Sequence, residues 1–390
     1  MSGVTNVREV SPTRVLFVFD WLVIGGEETE VRLLARRLDP RQYEIHVLAC
    51  YKNKRMTALT EAALRTMGVQ LDTACYDLDD GERARYISDL IRRGGFQIVV
   101  ACQGVQHAYR ALKLLPVEER PALVEHGGIV SEVYRNPKDL TTAYVGVSRN
   151  IVDAAVRAMP NSWQVRLIPS MVDLSEFDGL TGQDRAAVRA EFGLSSEHRV
   201  VGWVGRLDRK KRVEDFIEAA ALLHARLPQA RFLLVGGPDA FMPEYEIELK
   251  ALVMLRGLKD IVAFTGDRTD VPRLLAAMDA YVWLSRGEGM PHVVLEAGAA
   301  RLPVVATRDG GTPDVITDGE SGLFVPHEAP PAVAAALERA LTDHDLATRL
   351  GGALRRIVEE RYATRAVCSQ WELLFSKLLV TRRDWTDDVQ

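Results

Sequence analysis

The sequence predicts an α/β protein made of two doubly wound domains, and three observations carry that prediction. Short apolar runs alternate with amphipathic segments of helical period from end to end, the pattern of parallel strands joined by crossover helices. The series is interrupted once, by a polar, Gly-containing stretch over 175–191, and then begins again. At 390 residues the chain is also long for a single hydrophobic core.

Taken in order, strands are expected over 15–19, 44–49, 98–101, 122–125, 143–147 and 165–168. These runs are short and rich in β-branched or apolar residues, as buried parallel strands are. Helical segments near 27–38, 57–67, 83–92, 106–114 and 150–158 separate most of them, giving a first domain over 1–172. From Pro169 to about Ser196 the chain reads as a connection carrying a short helix. A second domain over 196–365 holds strands at 200–204, 232–235, 262–265, 280–284, 303–306 and 323–325. Helical patterns at 332–341, 346–362 and 366–379 close the chain. Within the last, Trp371 and Leu374 recur at helical spacing and are read as packing residues.

Composition narrows the function classes. Hydrophobic residues make up 47% and charged ones 26%, values of a soluble globular protein. The net charge of −5, with no block of Lys or Arg, argues against nucleic-acid binding. No apolar run reaches the roughly 18 residues of a membrane span. The opening stretch 1–13 is polar and lacks a signal-peptide apolar region, so membrane contact is expected to be peripheral at most. Cys50, Cys75, Cys102 and Cys368 are scattered, without a Cys-x-x-Cys pair, which fits buried thiols in the reducing cytoplasm.

The most informative stretch is Ser285-Arg286-Gly287-Glu288-Gly289-Met290-Pro291-His292-Val293-Val294-Leu295-Glu296, directly after the apolar run 280–284. Met290-Pro291 is expected to open a helix, with Pro in a tolerated first-turn position. That puts Glu288 in a strand-to-helix loop and Glu296 about two turns into the helix. Such loops, at the carboxyl ends of strands, form ligand crevices in open α/β sheets. Carboxylates accept charge-assisted hydrogen bonds from sugar and ribose hydroxyls, and Gly289 with the helix N-terminus offers N–H groups to an anion. Two acidic residues at this spacing also occur on ordinary surface helices, so the context has to carry the argument.

This stretch resembles the Glu-x7-Glu signature of family-4 (group 1) retaining glycosyltransferases, in a Glu-Gly-Met-Pro variant. The resemblance covers nearly the whole chain, most strongly over 200–325. It implies the GT-B fold, two Rossmann-like domains facing across a cleft, with the last helix (about 366–380) packed back on the first domain. It also implies a donor-binding second domain and an acceptor-binding first domain. Arg206 and Lys211 match the family's diphosphate-gripping Arg and Lys. A leaving nucleoside diphosphate gains charge that fixed cations stabilise. Arg212 stands where the family usually has a small residue, which leaves Lys210 as an alternative to Lys211. Gly25-Gly26 matches the Gly-Gly loop near the donor phosphates, where backbone must come close to a ligand. His126, after the strand 122–125 and before Gly127-Gly128, matches a His near the reactive sugar carbon. Gly310-Gly311-Thr312-Pro313-Asp314 resembles the family's Gly-Gly-x-Pro-Glu turn, with Asp in place of Glu. Gly266 and Arg268 are candidates for the base-facing loop, beside a turn at Gly236-Gly237.

The implied activity is transfer of a sugar, with retained configuration, from a UDP-, GDP-, ADP- or dTDP-linked donor to a hydroxyl of a glycan, lipid or small metabolite. No cofactor or metal is expected: Arg206, Lys211 and backbone amides stand where Mg²⁺ would, and no Asp-x-Asp pair lies near the site. Glu288 is assigned to the transferred sugar and Glu296 to ribose. Competing readings are another GT-B enzyme, such as a nucleotide-sugar epimerase or sugar phosphorylase, and a catalytically idle nucleotide-sugar-binding subunit. Turnover of a nucleotide sugar without acceptor separates the first. The joint presence of Arg206, Lys211, Glu288 and Glu296 argues against the second.

Overall fold

A computed structural model describes residues 11–384; most of the polar opening stretch lies outside the described residues, as do residues 385–390. Two wholly parallel sheets form the molecule. The first contains β1 (Thr13–Phe19), β2 (Tyr43–Ala49), β3 (Gln70–Asp72), β4 (Ile98–Ala101), β5 (Ala122–Gly127), β6 (Ala143–Gly146) and β7 (Val165–Leu167). Their spatial order is β3-β2-β1-β4-β5-β6-β7. The second contains β8 (Arg199–Val204), β9 (Ala230–Val235), β10 (Val262–Phe264), β11 (Ala280–Trp283), β12 (Val304–Thr307) and β13 (Leu323–Val325), in the order β10-β9-β8-β11-β12-β13. In both, the winding reverses beside the first strand, between β1 and β4 and between β8 and β11. In open α/β sheets ligands bind in the crevice at such points. This is the two-domain GT-B arrangement.

Central strands such as β4, β11 and β12 are buried along their whole length, because helices cover both sheet faces. The helix Thr364–Asp384 leaves the second domain and packs on the first, where Val367, Trp371, Leu374, Phe375 and Leu378 join the core of Phe17, Leu34 and Ile45. The chain thus passes between the domains twice, near Val172 and near Ala363, and the two crossings lie side by side. Val172 N–H donates to the Tyr362 carbonyl at 2.9 Å, and Thr364 N–H to the Val172 carbonyl at 3.1 Å.

Four expectations need correction. β3 was not expected: it is a three-residue edge strand with polar ends, and its apolar signal is a single Leu71. The connection carries two helices, Ser175–Asp178 and Gly182–Glu191, the second started by a Thr181 capping box. β5 runs on through His126 and Gly127, so His126 sits in the strand end and not after it. The helix after β11 begins at His292, with Pro291 as its extended N-cap, so Glu296 is the fifth helical residue, little more than one turn in.

Candidate active site

The basic run after β8 folds into a tight turn. Asp208 accepts the Lys210 N–H at 2.9 Å and caps a single 3₁₀ turn, Arg209–Lys211. Arg212 then takes φ +53, in the left-handed region, before the helix Val213–Arg226 starts. That conformation explains why a small residue suits this position. Here the Arg212 guanidinium holds the geometry instead, donating to both Asp215 oxygens at 2.9 and 3.0 Å. The turn sorts the two lysines. Lys210 is half-exposed, with Asp208 3.8 Å away. Lys211 is directed inward, 2.8 Å from Glu288 and over the Trp283 ring at 4.7 Å. Lys211 is therefore the cation of the cleft.

Around this pair the loop after β11 is fastened to its neighbours. The Ser285 hydroxyl reaches Glu288 (3.0 Å) and the Lys210 carbonyl (3.2 Å), and Arg286 N–H donates to the same carbonyl at 2.8 Å. Gly287 N–H donates to Asp309 at 2.7 Å. Burial alone would raise the Glu288 carboxyl, but the charge and hydrogen bond of Lys211 overcome it and hold the group below its ordinary value. Burial lowers the Lys211 ammonium, against the pull of Glu288. Arg206 leaves β8 to meet Asp239 at 3.1 Å. Glu296 has no hydrogen-bond or ion-pair partner among the described residues; burial pushes it up to about 7, opposed by Arg32 from the first domain.

Glycines bring the two domains into contact. A Cβ on Gly289 would lie 2.0 Å from the Gly128 carbonyl oxygen, and one on Gly26 would lie 2.6 Å from the His292 ring. Asp314, from the Gly-Gly turn, accepts the Arg149 N–H at 2.8 Å and so ties the second domain to the start of the helix Arg149–Ala158. Gly25 caps the helix Gly26–Arg37, whose first turn carries Glu27 and Glu28.

On the first-domain side, His126 is buried with Nδ1 3.5 Å from Glu27, Nε2 3.5 Å from Glu30, and its ring tilted on Trp371. Burial lowers its basicity, but the carboxylates of Glu30 and Glu27 more than reverse this, leaving it above the ordinary value. It lines a cavity of about 270 Å³, shared with Asp20, Trp21, Gln103, Glu132 and Tyr144.

The fold therefore brings Gly26 to His292, Gly289 to Gly128 and Lys211 to Glu288, whereas Met290 lines a separate cavity with Arg149, Asp314 and Tyr362. Arg268 is held elsewhere: both Asp270 oxygens accept from it at 2.8 Å, and Glu191 accepts from it in the connecting segment. What remains beside it is backbone, with the Gly266 carbonyl accepting the Gly236 N–H at 3.0 Å. Sequence reasoning missed Arg32, Asp20, Glu27, Glu132 and Tyr144. Glu27 and Arg32 were within reach, since they share the helix that follows the Gly-Gly loop.

Residues 198–343 match the family profile described as glycosyl transferases group 1. N-acetyl-alpha-D-glucosaminyl L-malate synthase of Bacillus anthracis is 24% identical over 373 residues, 91% of this chain and 95% of that protein. Alpha-D-kanosaminyltransferase of Streptomyces kanamyceticus is 33% identical over 195 residues, about half of each chain. Among solved structures, Anabaena Alr3699/HepE in complex with UDP and glucose superposes with a TM-score of 0.81 at 19% identity, over 94% of this chain and 100% of that one. Residues 198–343 thus carry the group 1 glycosyltransferase profile, and the chain has the GT-B fold.

Proposed function

We propose that the chain is a retaining transferase that moves a sugar from a nucleoside diphosphate donor to an acceptor hydroxyl. The observation that carries this is the inward Lys211–Glu288 pair against Trp283, at the point where the second sheet reverses its winding. Lys211, Arg206 and the amides at the start of the helix His292–Ala299 would receive the diphosphate, and these counter-charges need no metal ion. Glu288 would hold the hydroxyls of the transferred sugar. Glu296, set back in the helix and without a partner of its own, would accept from ribose.

In this reading the acceptor oxygen bonds to the anomeric carbon as the bond from that carbon to the phosphate oxygen breaks. The acceptor's proton passes to the departing diphosphate on the same face, so the configuration is kept. His126 would contact the sugar and take no proton. It is already flanked by Glu27 and Glu30, whose charges favour its protonated form. The free, buried cysteines suit the cytoplasm, and no described helix is long and apolar enough to cross a membrane.

A thermal-shift series with UDP, GDP, ADP and dTDP identifies the donor base, because native-state binding raises the melting temperature. Proton NMR of the glycoside formed then tests the chemistry. A product with the donor's anomeric configuration is expected; an inverted centre would defeat the mechanism.

A further inference from the structure

The cavity beside His126 carries a charge pattern that the donor chemistry does not use. Asp20, Glu125 and Glu132 line it, and Glu27 and Glu28 stand directly behind Gln103, whose amide donates to them at 3.2 and 3.4 Å. Of these, Glu125 is neutralised within the fold by Lys138 at 2.5 Å and by the Thr141 hydroxyl. The others are not matched in this way. Among the described residues, Glu28 and Glu132 enter no ion pair. Asp20 has only His107 at 3.5 Å, a ring that burial and Arg83 keep neutral, near 4. Glu27 shares the single His126 with Glu30. Arg135, exposed at the rim, is the one fixed cation of the lining.

Glu28 and Glu132 each accept one backbone N–H, from Val23 and Gly128 at 3.2 Å, but carboxylates withdrawn from water without counter-ions are costly, and a ligand that supplies positive charge relieves that cost. A second feature also points to a ligand. Tyr144 is 1% exposed, forms part of the cavity wall, and its hydroxyl has no hydrogen-bond partner. It is a buried polar group of the wall that the fold leaves without a partner. Trp21, whose ring stacks on Tyr51 at 5.0 Å, lines the same wall and adds aromatic surface beside the carboxylates.

We propose that this cavity receives the acceptor, and that the acceptor is a polyhydroxylated amine, an amino sugar or aminocyclitol. Its ammonium sits between Asp20 and Glu132, and its hydroxyls meet Tyr144, Gln103 and His126. The inference rests on the glycosyl-transfer reading above and deepens it. The same wall repels acceptors that carry phosphate or carboxylate.

The test uses the full chain and three probes: chitosan disaccharide, with two ammonium groups; its di-N-acetyl form, neutral and otherwise matched; and glucose 6-phosphate. Binding is followed by calorimetry with and without a nucleoside diphosphate. The amine is expected to bind about tenfold or more tightly than its acetylated form, as charge-assisted hydrogen bonds allow. Glucose 6-phosphate should bind most weakly. Glu132→Gln and Asp20→Asn should each remove most of the preference for the amine, and Tyr144→Phe should weaken amine and acetylated probe alike. A thermal melt shows that each variant folds. Equal or tighter binding of the acetylated or phosphorylated probe, no binding of the amine, or a preference unchanged in both carboxamide variants would overturn the proposal. Zn²⁺ is added as a competitor, because Asp20 lies within 4.8 Å of possible ligand atoms of Cys50 and His107. Displacement of the amine by Zn²⁺ without loss of preference in Glu132→Gln would assign the charge to a metal site and also overturn it. If none of the four diphosphates binds, the glycosyl-transfer reading itself fails. If one binds and the amine preference is absent, only the acceptor inference fails.

Discussion

The two walls of the cleft handle charge in opposite ways. In the second domain Lys211 meets Glu288 and Arg206 meets Asp239, each at hydrogen-bonding distance, and of its acidic groups discussed above Glu296 alone lacks a counter-ion. In the first, Asp20, Glu28 and Glu132 are half-buried or buried with no such counter-ion, and Glu27 and Glu30 divide one histidine. A paired wall can exchange partners when a charged ligand arrives, since a diphosphate can take Lys211 and free Glu288 for sugar hydroxyls. An unpaired wall has nothing to exchange and is completed only by what binds. On the proposed reading, the difference would separate a wall used for the chemical step from one used for selection of the acceptor.

The largest expected effect removes the exchangeable cation. Lys211→Ala or Arg206→Ala should lower kcat by ~10²-fold or more, the usual cost of losing one donor to developing charge. Lys210→Ala should stay within about threefold, as an exposed pair contributes little. Steady-state kinetics check this; a crippling Lys210→Ala beside a mild Lys211→Ala would erase the distinction drawn between the two lysines.

Next comes the contact between the walls. Gly289→Ala places a methyl group against the Gly128 carbonyl and should separate the domains, cutting kcat by roughly tenfold to a hundredfold. The Kd for the diphosphate should hardly change, because that ligand is held by one wall. An equal loss in Kd and kcat would mean that Gly289 serves the nucleotide and not closure.

Within the paired wall, Glu296→Ala should weaken binding of the free diphosphate about tenfold or more, while Glu288→Ala should spare it and damage transfer. Calorimetry of the two variants settles the ranking, and the reverse order would exchange their roles.

The smallest effect concerns stability and pH. Burial raises Glu28, Glu30, Glu132 and Glu296 to about 7 and Asp20 to about 6. Each folded-state value lies above its ordinary one, 4.5 for Glu and 3.8 for Asp. The associated stabilisation is therefore full below those ordinary values and is lost as pH rises through the folded ones. His126, also raised, acts in the same sense. His107 and His292, held near 4, act oppositely, but only below their ordinary 6.5. From pH 6.5 to about 8.5 the ligand-free chain should lose a few degrees of Tm, and Glu132→Gln should flatten the slope. A Tm that rises over this window would show the first wall to be compensated after all.

Local patterns made the paired wall legible. Glu288, Gly289 and Glu296 fall in one strand–loop–helix unit, and Arg206 and Lys211 in another, so a family resemblance carried by local motifs could single them out where spacing alone could not. Choosing Lys211 over Lys210 was beyond the sequence, because it depends on a single 3₁₀ turn and a left-handed Arg212. The unpaired wall is collected from Asp20 after β1, Glu27 and Glu28 on a helix, Glu132 after β5 and Tyr144 on β6. No sequence period relates those positions. Arg268 shows the converse: a well-placed residue number at a strand end, whose side chain Asp270 and Glu191 had already claimed.

The double passage of the chain between the domains fixes how the cleft can move. A single connecting strand is a swivel, free about three axes. Two crossings joined at Val172, Tyr362 and Thr364 resist the twist that a single strand would allow. That restraint favours the register in which Gly289 faces Gly128 and Gly26 faces His292. The registration of the reacting parts is thus kept by hydrogen bonds at the back of the molecule, which touch none of the chemistry they align.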